Sequence, residues 1–250
     1  MTDRELEGAA AIVTGSVRNM GKTIAIELAK AGASVLINGR TSVDAGEKVA
    51  EAVRAHGGKA IVHMADVTDP AQVEAMVAAA AEAFGGIDIL VNNVSNRLAK
   101  PLPEIEIDEW RGVISSTLDA CFLCSKAALP WLEKSDRASI VNLGGVSGHA
   151  GVKNRTAVAA AKAGLVGLTG SMASEFAERD ITVNCVAPGH IEHDDEPHRM
   201  SQHFKDRPIP LGRSGAPEDI AAMVRLLCGP RGRYTTGQTI HINGGWHIAT

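Results

Sequence analysis

The chain has 250 residues, of which 45% are hydrophobic, 22% charged and only 3% aromatic. These values fit a globular domain with a core of Ala, Val, Ile and Leu. The net charge of −4 argues against a nucleic-acid surface, and the lack of a run of roughly 20 apolar residues argues against a membrane span. The charged N-terminus lacks the apolar stretch of a secretory signal, so we expect a cytoplasmic protein without membrane or nucleic-acid partners.

Short runs rich in β-branched residues alternate with longer segments of helical periodicity. The alternation predicts an α/β fold of the Rossmann type: a doubly wound parallel sheet of about seven strands, with helices on both faces. No linker or repeat divides the chain, so residues 1–250 are expected to form a single domain. The predicted strands are Ala10–Val13, Ser34–Asn38, Ala60–Met64, Ile87–Asn92, Ser139–Leu143, Thr182–Val186 and Thr239–Ile242, and the predicted helices are Met20–Ala31, Val43–His56, Pro70–Phe84, Asp108–Glu133, Thr156–Glu178 and Pro217–Cys228.

The longest stretch without a clear pattern is 188–216. Connections of this length are usually functional or mobile. This one follows the sixth predicted strand, and ligands of open α/β sheets bind at the carboxyl ends of the strands. We therefore predict a substrate loop or lid at 188–216.

The four cysteines fit a reducing compartment. Cys121 and Cys124 stand three residues apart in the fourth predicted helix, where they share one face. We interpret them as small buried thiols, and not as a redox or metal-binding pair.

A glycine-rich turn, Thr14–Gly21, joins the first strand to the first helix. Such a turn lets backbone N–H groups and the helix N-terminus meet a pyrophosphate. A tight strand–helix turn that binds nothing has the same glycines, so the turn alone leaves both interpretations open.

Further segments occur in a recognisable order. The turn resembles T-G-x-x-x-G-x-G, and after it come Asp66–Val67, Asn92–Ser95, Pro188–Ile191 and a closing Gly237–Gln238 with Asn243–Gly245. Over nearly the whole chain these motifs resemble the short-chain dehydrogenase/reductase (SDR) family. The resemblance implies a small-molecule substrate and a homotetramer built on the two long helices, with the Trp246–His247 tail near a neighbouring subunit.

The resemblance also implies a dinucleotide site. Arg18 and Arg40 stand where the family binds the 2′-phosphate of NADP, and guanidinium groups suit phosphate, so NADP is favoured over NAD. Three departures leave tight binding open: Asn19 replaces the middle glycine of the turn, Ser95 the glycine of N-N-A-G, and His193 a threonine beside the nicotinamide. The implied cofactor-binding residues are Gly15, Ser16, Arg18, Asn19, Met20, Gly21, Arg40, Asp66, Val67, Asn92, Lys162 and Ile191.

The catalytic positions of the family are largely substituted. A tyrosine transfers the proton, a lysine four residues later supports it, a serine thirteen residues before the tyrosine binds the substrate oxygen, and an asparagine of the preceding long helix supports a relay water. Lys162 matches the lysine, but the other positions hold Val158, Gly145 and Thr117. Ser147 is close, but a spacing of two residues predicts a different place on the loop. Since the loss of a general acid costs a factor of roughly 10² to 10⁴, we expect no standard tyrosine-dependent carbonyl reduction.

Three other residues are candidates for catalysis. Without the tyrosine, a buried Lys162 with a depressed pKa could act as a base or a nucleophile. His149 follows the Gly145 loop and could serve the oxyanion side. His193 belongs to a run of histidines and acids, 190–198, which could provide acid–base groups, ligate a metal or form a solvated lip. The spacing of that run matches no standard zinc motif, so no metal site is predicted.

Three functions remain open. The favoured hypothesis is an enzyme that performs proton transfer, elimination or bond cleavage on this scaffold, because the histidine-rich region supplies polar groups. The second is an NADP-dependent oxidoreductase with a substitute acid. The third is a catalytically silent subunit with a binding or assembly role.

Overall fold

The computed structural model describes residues 4–192 and 202–248. Strands and helices alternate over most of this length. The strands are β1 (Ala10–Val13), β2 (Ser34–Gly39), β3 (Ala60–Met64), β4 (Ile89–Asn92), β5 (Ser139–Leu143), β6 (Thr182–Pro188) and β7 (Thr239–Ile242). The helices are α1 (Asn19–Lys30), α2 (Val43–Arg54), α3 (Pro70–Phe84), α4 (Ile107–Ile114), α5 (Ala120–Leu132), α6 (Thr156–Phe176), α7 (Gln202–Asp206) and α8 (Pro217–Cys228).

The strands form one parallel sheet in the order β3-β2-β1-β4-β5-β6-β7. Helices cover both faces: Ile24 of α1 and Ile220 of α8 belong to the core cluster on one side, and Val73 of α3 and Met172 of α6 to the cluster on the other. The predicted doubly wound α/β fold is therefore confirmed. The chain reverses its winding between β1 and β4, where the carboxyl ends of the strands leave a crevice for a ligand.

The boundaries differ from the predicted ones in a few places. β6 runs on to Pro188 because Ala187 and Pro188 still pair with His241 and Ile242 of β7. The long predicted helix is interrupted between α4 and α5 by a π-helical turn, Ser115–Asp119. In this turn Ser116 Oγ donates to the carbonyl oxygen of Gly112 at 2.6 Å, a side-chain bond that competes with regular helix bonding. The short helix α7 was not predicted.

The helical segment Ile107–Leu132, which includes the π-helical turn, is long and apolar enough, by length and composition alone, to cross a membrane. The sequence reasoning missed this, since it looked for an unbroken apolar run. Cys124, Ala128 and Leu132 of α5 are buried in the core cluster on that face of the sheet. A helix that covers a sheet is apolar for this reason, so the segment is explained as a layer of the fold.

A buried polar network ties the centre of the sheet to the helices above it. Asn142 of β5 is fully buried; its Nδ2 donates to Thr169 Oγ1 of α6 at 2.9 Å. Its Oδ1 accepts from Asn92 Nδ2 of β4 at 2.9 Å and from Cys121 Sγ of α5 at 3.0 Å. One amide thus joins two strands and two helices just below the carboxyl edge of the sheet.

All four cysteines are unpaired and buried. Burial raises the pKa of each thiol, including Cys121 and Cys124. The interpretation of Cys121 and Cys124 as buried thiols is confirmed, since Cys121 serves as a hydrogen-bond donor inside the core.

Asn142→Leu should lower the free energy of unfolding by about 2 to 4 kcal/mol, because it leaves Asn92, Cys121 and Thr169 buried without their shared partner. Urea denaturation followed by circular dichroism measures the change. Asn96→Leu, at an exposed position, is the matched control and should change stability by less than about 0.5 kcal/mol. Equal stabilities of the two variants would contradict the role of the network.

Candidate functional site

The backbone of the Thr14–Gly21 turn packs so closely that no side chain fits at Gly21. A Cβ on Gly21 would lie 2.4 Å from the carbonyl oxygen of Gly15, so only glycine fits there. The Gly15 N–H donates to Asn38 Oδ1 at 3.0 Å, and the fully buried Ser16 donates to the carbonyl oxygen of Val13 at 2.7 Å. Asn19 has φ 49°, a conformation that asparagine adopts more easily than most residues. The substitution of the middle glycine therefore keeps a left-handed turn at the start of α1.

The ends of the neighbouring strands bring further predicted cofactor-binding residues to the carboxyl edge of the sheet. Arg40 follows β2, and its Nη1 lies 3.9 Å from Asp66 Oδ2, which follows β3. The Arg40 side chain is 77% exposed, so this ion pair is weak and the guanidinium stays accessible. Hydrogen bonds from the backbone and hydroxyl of Thr68 lower the pKa of Asp66. Val67 is buried in the core beneath.

The remaining predicted cofactor residues surround this edge. Arg18 is exposed at the N-terminus of α1, and Met20 packs against the core. Asn92 is buried at the end of β4, and Ile191 is buried past the end of β6. The set therefore lines the carboxyl edge of the sheet, where the doubly wound fold binds ligands.

Asn92 and Thr117 share a small cavity. It has a volume of about 10 Å³ and is also lined by Val94 and Cys121, which is room for about one water molecule. Asn92 Oδ1 and Thr117 Oγ1 are both buried and lack a hydrogen-bond partner within residues 4–192 and 202–248. Thr117, in the π-helical turn, thus presents a hydroxyl to a polar cavity.

Lys162 is the buried cation of the site. It lies on α6 with a relative exposure of 6%, and its Nζ donates to the carbonyl oxygen of Leu143, the last residue of β5, at 2.6 Å. Burial, with a smaller contribution from the positive charge of Arg97, lowers the pKa of Lys162 to about 8. The ammonium is therefore a stronger acid than an exposed lysine.

Val158 lies one helical turn before Lys162 and is buried. It belongs to a small apolar cluster with Val113, Ala157 and Ala161, against which Leu98 and Trp110 pack. Within the described residues the one tyrosine, Tyr234, is fully exposed on the surface. No tyrosine therefore stands next to Lys162 in this part of the chain.

Gly145 faces open space. A Cβ at this position would meet just one atom within 4 Å, Ser147 Oγ at 3.9 Å. The reason is the 3-10 turn Val146–Gly148, which brings Ser147 back over Gly145. Ser147 therefore lies at van der Waals distance from the position of a Gly145 side chain, a contact that spacing alone could not have revealed. That Ser147 does not take the place of the family's serine stays a prediction.

The histidine candidates separate. The His149 ring contacts the rings of His241 and His247, with centroids 4.4 Å and 5.8 Å away. His190 packs instead on Phe204 at 5.1 Å. His193 lies outside the described residues, so its catalytic role stays a prediction.

The connection 188–216 borders a second and larger cavity. Ile191 pairs with Gly215 through an isolated bridge, and between this bridge and β7 lies a cavity of about 310 Å³. His190, Ile209, Arg213 and His241 are among its lining residues. The role of 188–216 as a substrate loop stays a prediction.

The C-terminal tail folds back on its own chain. Trp246 is buried against Phe204, with ring centroids 5.0 Å apart, and its Nε1 donates to the carbonyl oxygen of Arg207 at 3.1 Å. The expected place of the Trp246–His247 tail near a neighbouring subunit stays a prediction. The sequence did not link His241 or His247 to His149, since nothing in the local pattern connects them.

Comparison with known proteins identifies relatives along nearly the entire chain. A family model described as enoyl-(acyl carrier protein) reductase matches residues 15–247. The chain is 38% identical to the 3-oxoacyl-[acyl-carrier-protein] reductase FabG of Vibrio cholerae, with 97% of this chain and 99% of the relative covered. It is also 38% identical to FabG of Staphylococcus aureus, with 96% and 98% covered.

Solved structures give the same result. A short-chain dehydrogenase from Burkholderia cenocepacia in complex with NADP superposes with a TM-score of 0.92 at 34% identity, covering 97% of this chain and 99% of that one. A blue fluorescent protein from a metagenomic library, in complex with NADPH, has a TM-score of 0.92 at 33% identity and covers 98% and 100%.

These relatives correct the favoured hypothesis. An enzyme of proton transfer, elimination or bond cleavage is contradicted, because full-length relatives are named as reductases. The hypothesis gave too much weight to the lost proton donor. Loss of the tyrosine hydroxyl removes one acid, but the residues at the carboxyl ends of the strands, on which a reductase depends, are still present. The chain belongs to the short-chain dehydrogenase/reductase family.

Proposed function

We propose that the protein is an NADP(H)-dependent reductase of a carbonyl compound, with Lys162 as its proton donor. The relatives named as 3-oxoacyl reductases make a 3-oxoacyl thioester the first substrate to test. The observation that carries the proposal is the buried Lys162 ammonium, whose pKa of about 8 suits an acid that works near neutral pH. In this proposal Val158, Gly145 and Thr117 occupy the family's tyrosine, serine and asparagine positions.

The nucleotide half fits NADP. The close approach of Gly21 to Gly15 and the left-handed Asn19 keep the turn in which backbone N–H groups can meet a pyrophosphate. Arg40, 77% exposed at the end of β2, is placed to hold a 2′-phosphate, with Arg18 as a second cation. NADP and NADPH complexes of similar structures support the same cofactor.

The chemistry divides between two parts of the site. Reduced nicotinamide, when bound, supplies the hydride that reaches the carbonyl carbon. The carbonyl oxygen gains negative charge as this bond forms, and one proton must reach it. Lys162 gives up that proton from Nζ, becomes a neutral amine and regains a proton from solvent.

Ser147 is the hydroxyl best suited to bind the substrate oxygen. Its Oγ lies 3.9 Å, a van der Waals distance, from the position of a Gly145 Cβ. Gly145 leaves open space beside it. The combination of Ser147 and Lys162 supplies a hydrogen-bond donor and an acid from different elements, the turn after β5 and α6.

A homotetramer in a reducing, cytoplasmic compartment is part of the proposal. Phe122 of α5 is 49% exposed, and a Cβ at the exposed Gly167 of α6 would meet nothing within 4 Å. Such faces permit the close approach of helices from another subunit. Four buried free thiols suit a compartment without disulfide formation.

Arg40→Leu should weaken NADPH binding about 10- to 100-fold and leave NADH binding nearly unchanged, because it removes charge-assisted bonds to the 2′-phosphate alone. Fluorescence titration of the purified protein measures both affinities. Arg111→Leu, at a 72% exposed arginine of α4, is the control and should change neither. Equal weakening of NADPH and NADH would count against the assignment of Arg40.

The value of kcat/KM should fall above a pH of about 8, since the acid must be protonated and the folded-state pKa of Lys162 is lowered to about 8. Steady-state rates with NADPH and a 3-oxoacyl thioester between pH 6 and about 10 test this. Lys162→Arg should be much less active and should lack the decline, because a guanidinium keeps its proton over this range and cannot donate it. The same decline in Lys162→Arg would assign it to another group.

Val158→Tyr should raise kcat/KM by a factor of about 10² or more, since it adds a phenolic acid one helical turn before Lys162. Val158→Phe adds nearly the same bulk without the hydroxyl and should bring no gain. Addition of Ser147→Ala to Val158→Tyr should remove much of the gain, if Ser147 binds the substrate oxygen. Equal rates for the Tyr and Phe variants would refute the placement of the acid.

A further inference from the structure

Three histidines from distant parts of the sequence converge at the carboxyl side of β7. His149 follows the 3-10 turn after β5, His241 lies within β7, and His247 lies in the C-terminal tail. One ring nitrogen from each lies within 4.8 Å of the others. The ring centroids are 4.4 Å apart for His149 and His241, 4.9 Å for His241 and His247, and 5.8 Å for His149 and His247.

We propose that His149, His241 and His247 form a binding site for one divalent transition-metal ion, with Zn²⁺ as the best match. Three imidazoles suit zinc, copper and nickel, and they do not suit magnesium or calcium, which prefer oxygen ligands. Three protein ligands leave an open position on a tetrahedral ion for water or a small ligand. This site is separate from the nucleotide turn and does not depend on the proposed reductase activity.

Two ring nitrogens of the cluster lack a hydrogen-bond partner in the part of the chain that the structure describes. His149 Nε2 and His241 Nδ1 are buried, and within the described ranges neither has a hydrogen-bond partner. A buried polar atom without a partner is costly, and coordination of an ion satisfies it.

The backbone holds the three rings in place. His241 lies opposite Ala187 in the β6–β7 pairing, and the His149 N–H donates to the carbonyl oxygen of Val146 at 3.0 Å. In the tail, Asn243 Nδ2 donates to the carbonyl oxygen of His247 at 2.9 Å. A zinc ion with bonds of 2.0–2.1 Å needs ligand nitrogens about 3.3 Å apart, so small side-chain rotations close the site.

The site also has an entry path. His241 lines the cavity of about 310 Å³ that reaches towards Ile191 and Gly215, and all three rings are partly exposed. A metal ion can therefore enter without unfolding of the domain, and its open position can meet a ligand from that cavity.

The test uses the full chain after treatment with a chelator. Isothermal titration with ZnCl₂ should give one ion per chain with a Kd in the micromolar range or below, and Zn²⁺ should raise Tm while Mg²⁺ does not. Co²⁺ should produce the visible absorption of a tetrahedral nitrogen site. His149→Gln and His247→Ala should each weaken Zn²⁺ binding at least tenfold, and His56→Ala, an exposed histidine elsewhere, should have no effect.

Circular dichroism of each variant checks that the fold is kept, and the glutamine variant retains a side chain of similar size. Absence of Zn²⁺ binding by the folded wild type would overturn the proposal. So would binding that survives in both His149→Gln and His247→Ala but is lost in His193→Ala, since the ion would then belong to the 190–198 run. In either case the three rings are only a packed cluster of imidazoles.

Discussion

The convergence of parallel strand ends at one edge is the constraint on which this protein depends. Every strand of the sheet points the same way, so the loops after β1 to β6 meet on a common edge. The amide of Asn142 secures that edge from below by joining β4, β5, α5 and α6 in one buried network. The turn at Gly21, the Arg40 side chain and the Lys162 ammonium all take their positions from this arrangement.

Much of the fold is readable from the sequence, because β-branched runs and helical periodicity record which faces are buried. Every strand was located to within two residues, and most of the predicted cofactor residues follow a strand, so the alternating pattern placed them at one edge of the sheet. The missed features depend on backbone geometry. Ser147 reaches Gly145 through a 3-10 turn, and the π-helical turn at Thr117 arises inside a pattern that looks continuously helical.

The histidines show a second limit of sequence reasoning. His149, His241 and His247 occupy a loop, a strand and a tail, and only the placement of β7 two strands from β5 brings them together. The run 190–198 drew attention because its histidines are neighbours in sequence. Proximity along the chain was a poor guide, since a ligand set needs proximity in space. The substitutions at the family's catalytic positions were likewise visible in the sequence. Their effect on the reaction depends on the residues that remain around them in the structure.

The buried thiols have a practical consequence. The cysteines lie in three layers of the domain: Cys121 and Cys124 in α5, Cys185 in β6, and Cys228 at the end of α8. Since only a thiolate reacts readily, and burial disfavours it at all four positions, an alkylating reagent cannot attack the native protein. Thiol labelling would therefore be limited by the rate at which the domain opens. The labelling rate of each cysteine would report the opening of the region around it.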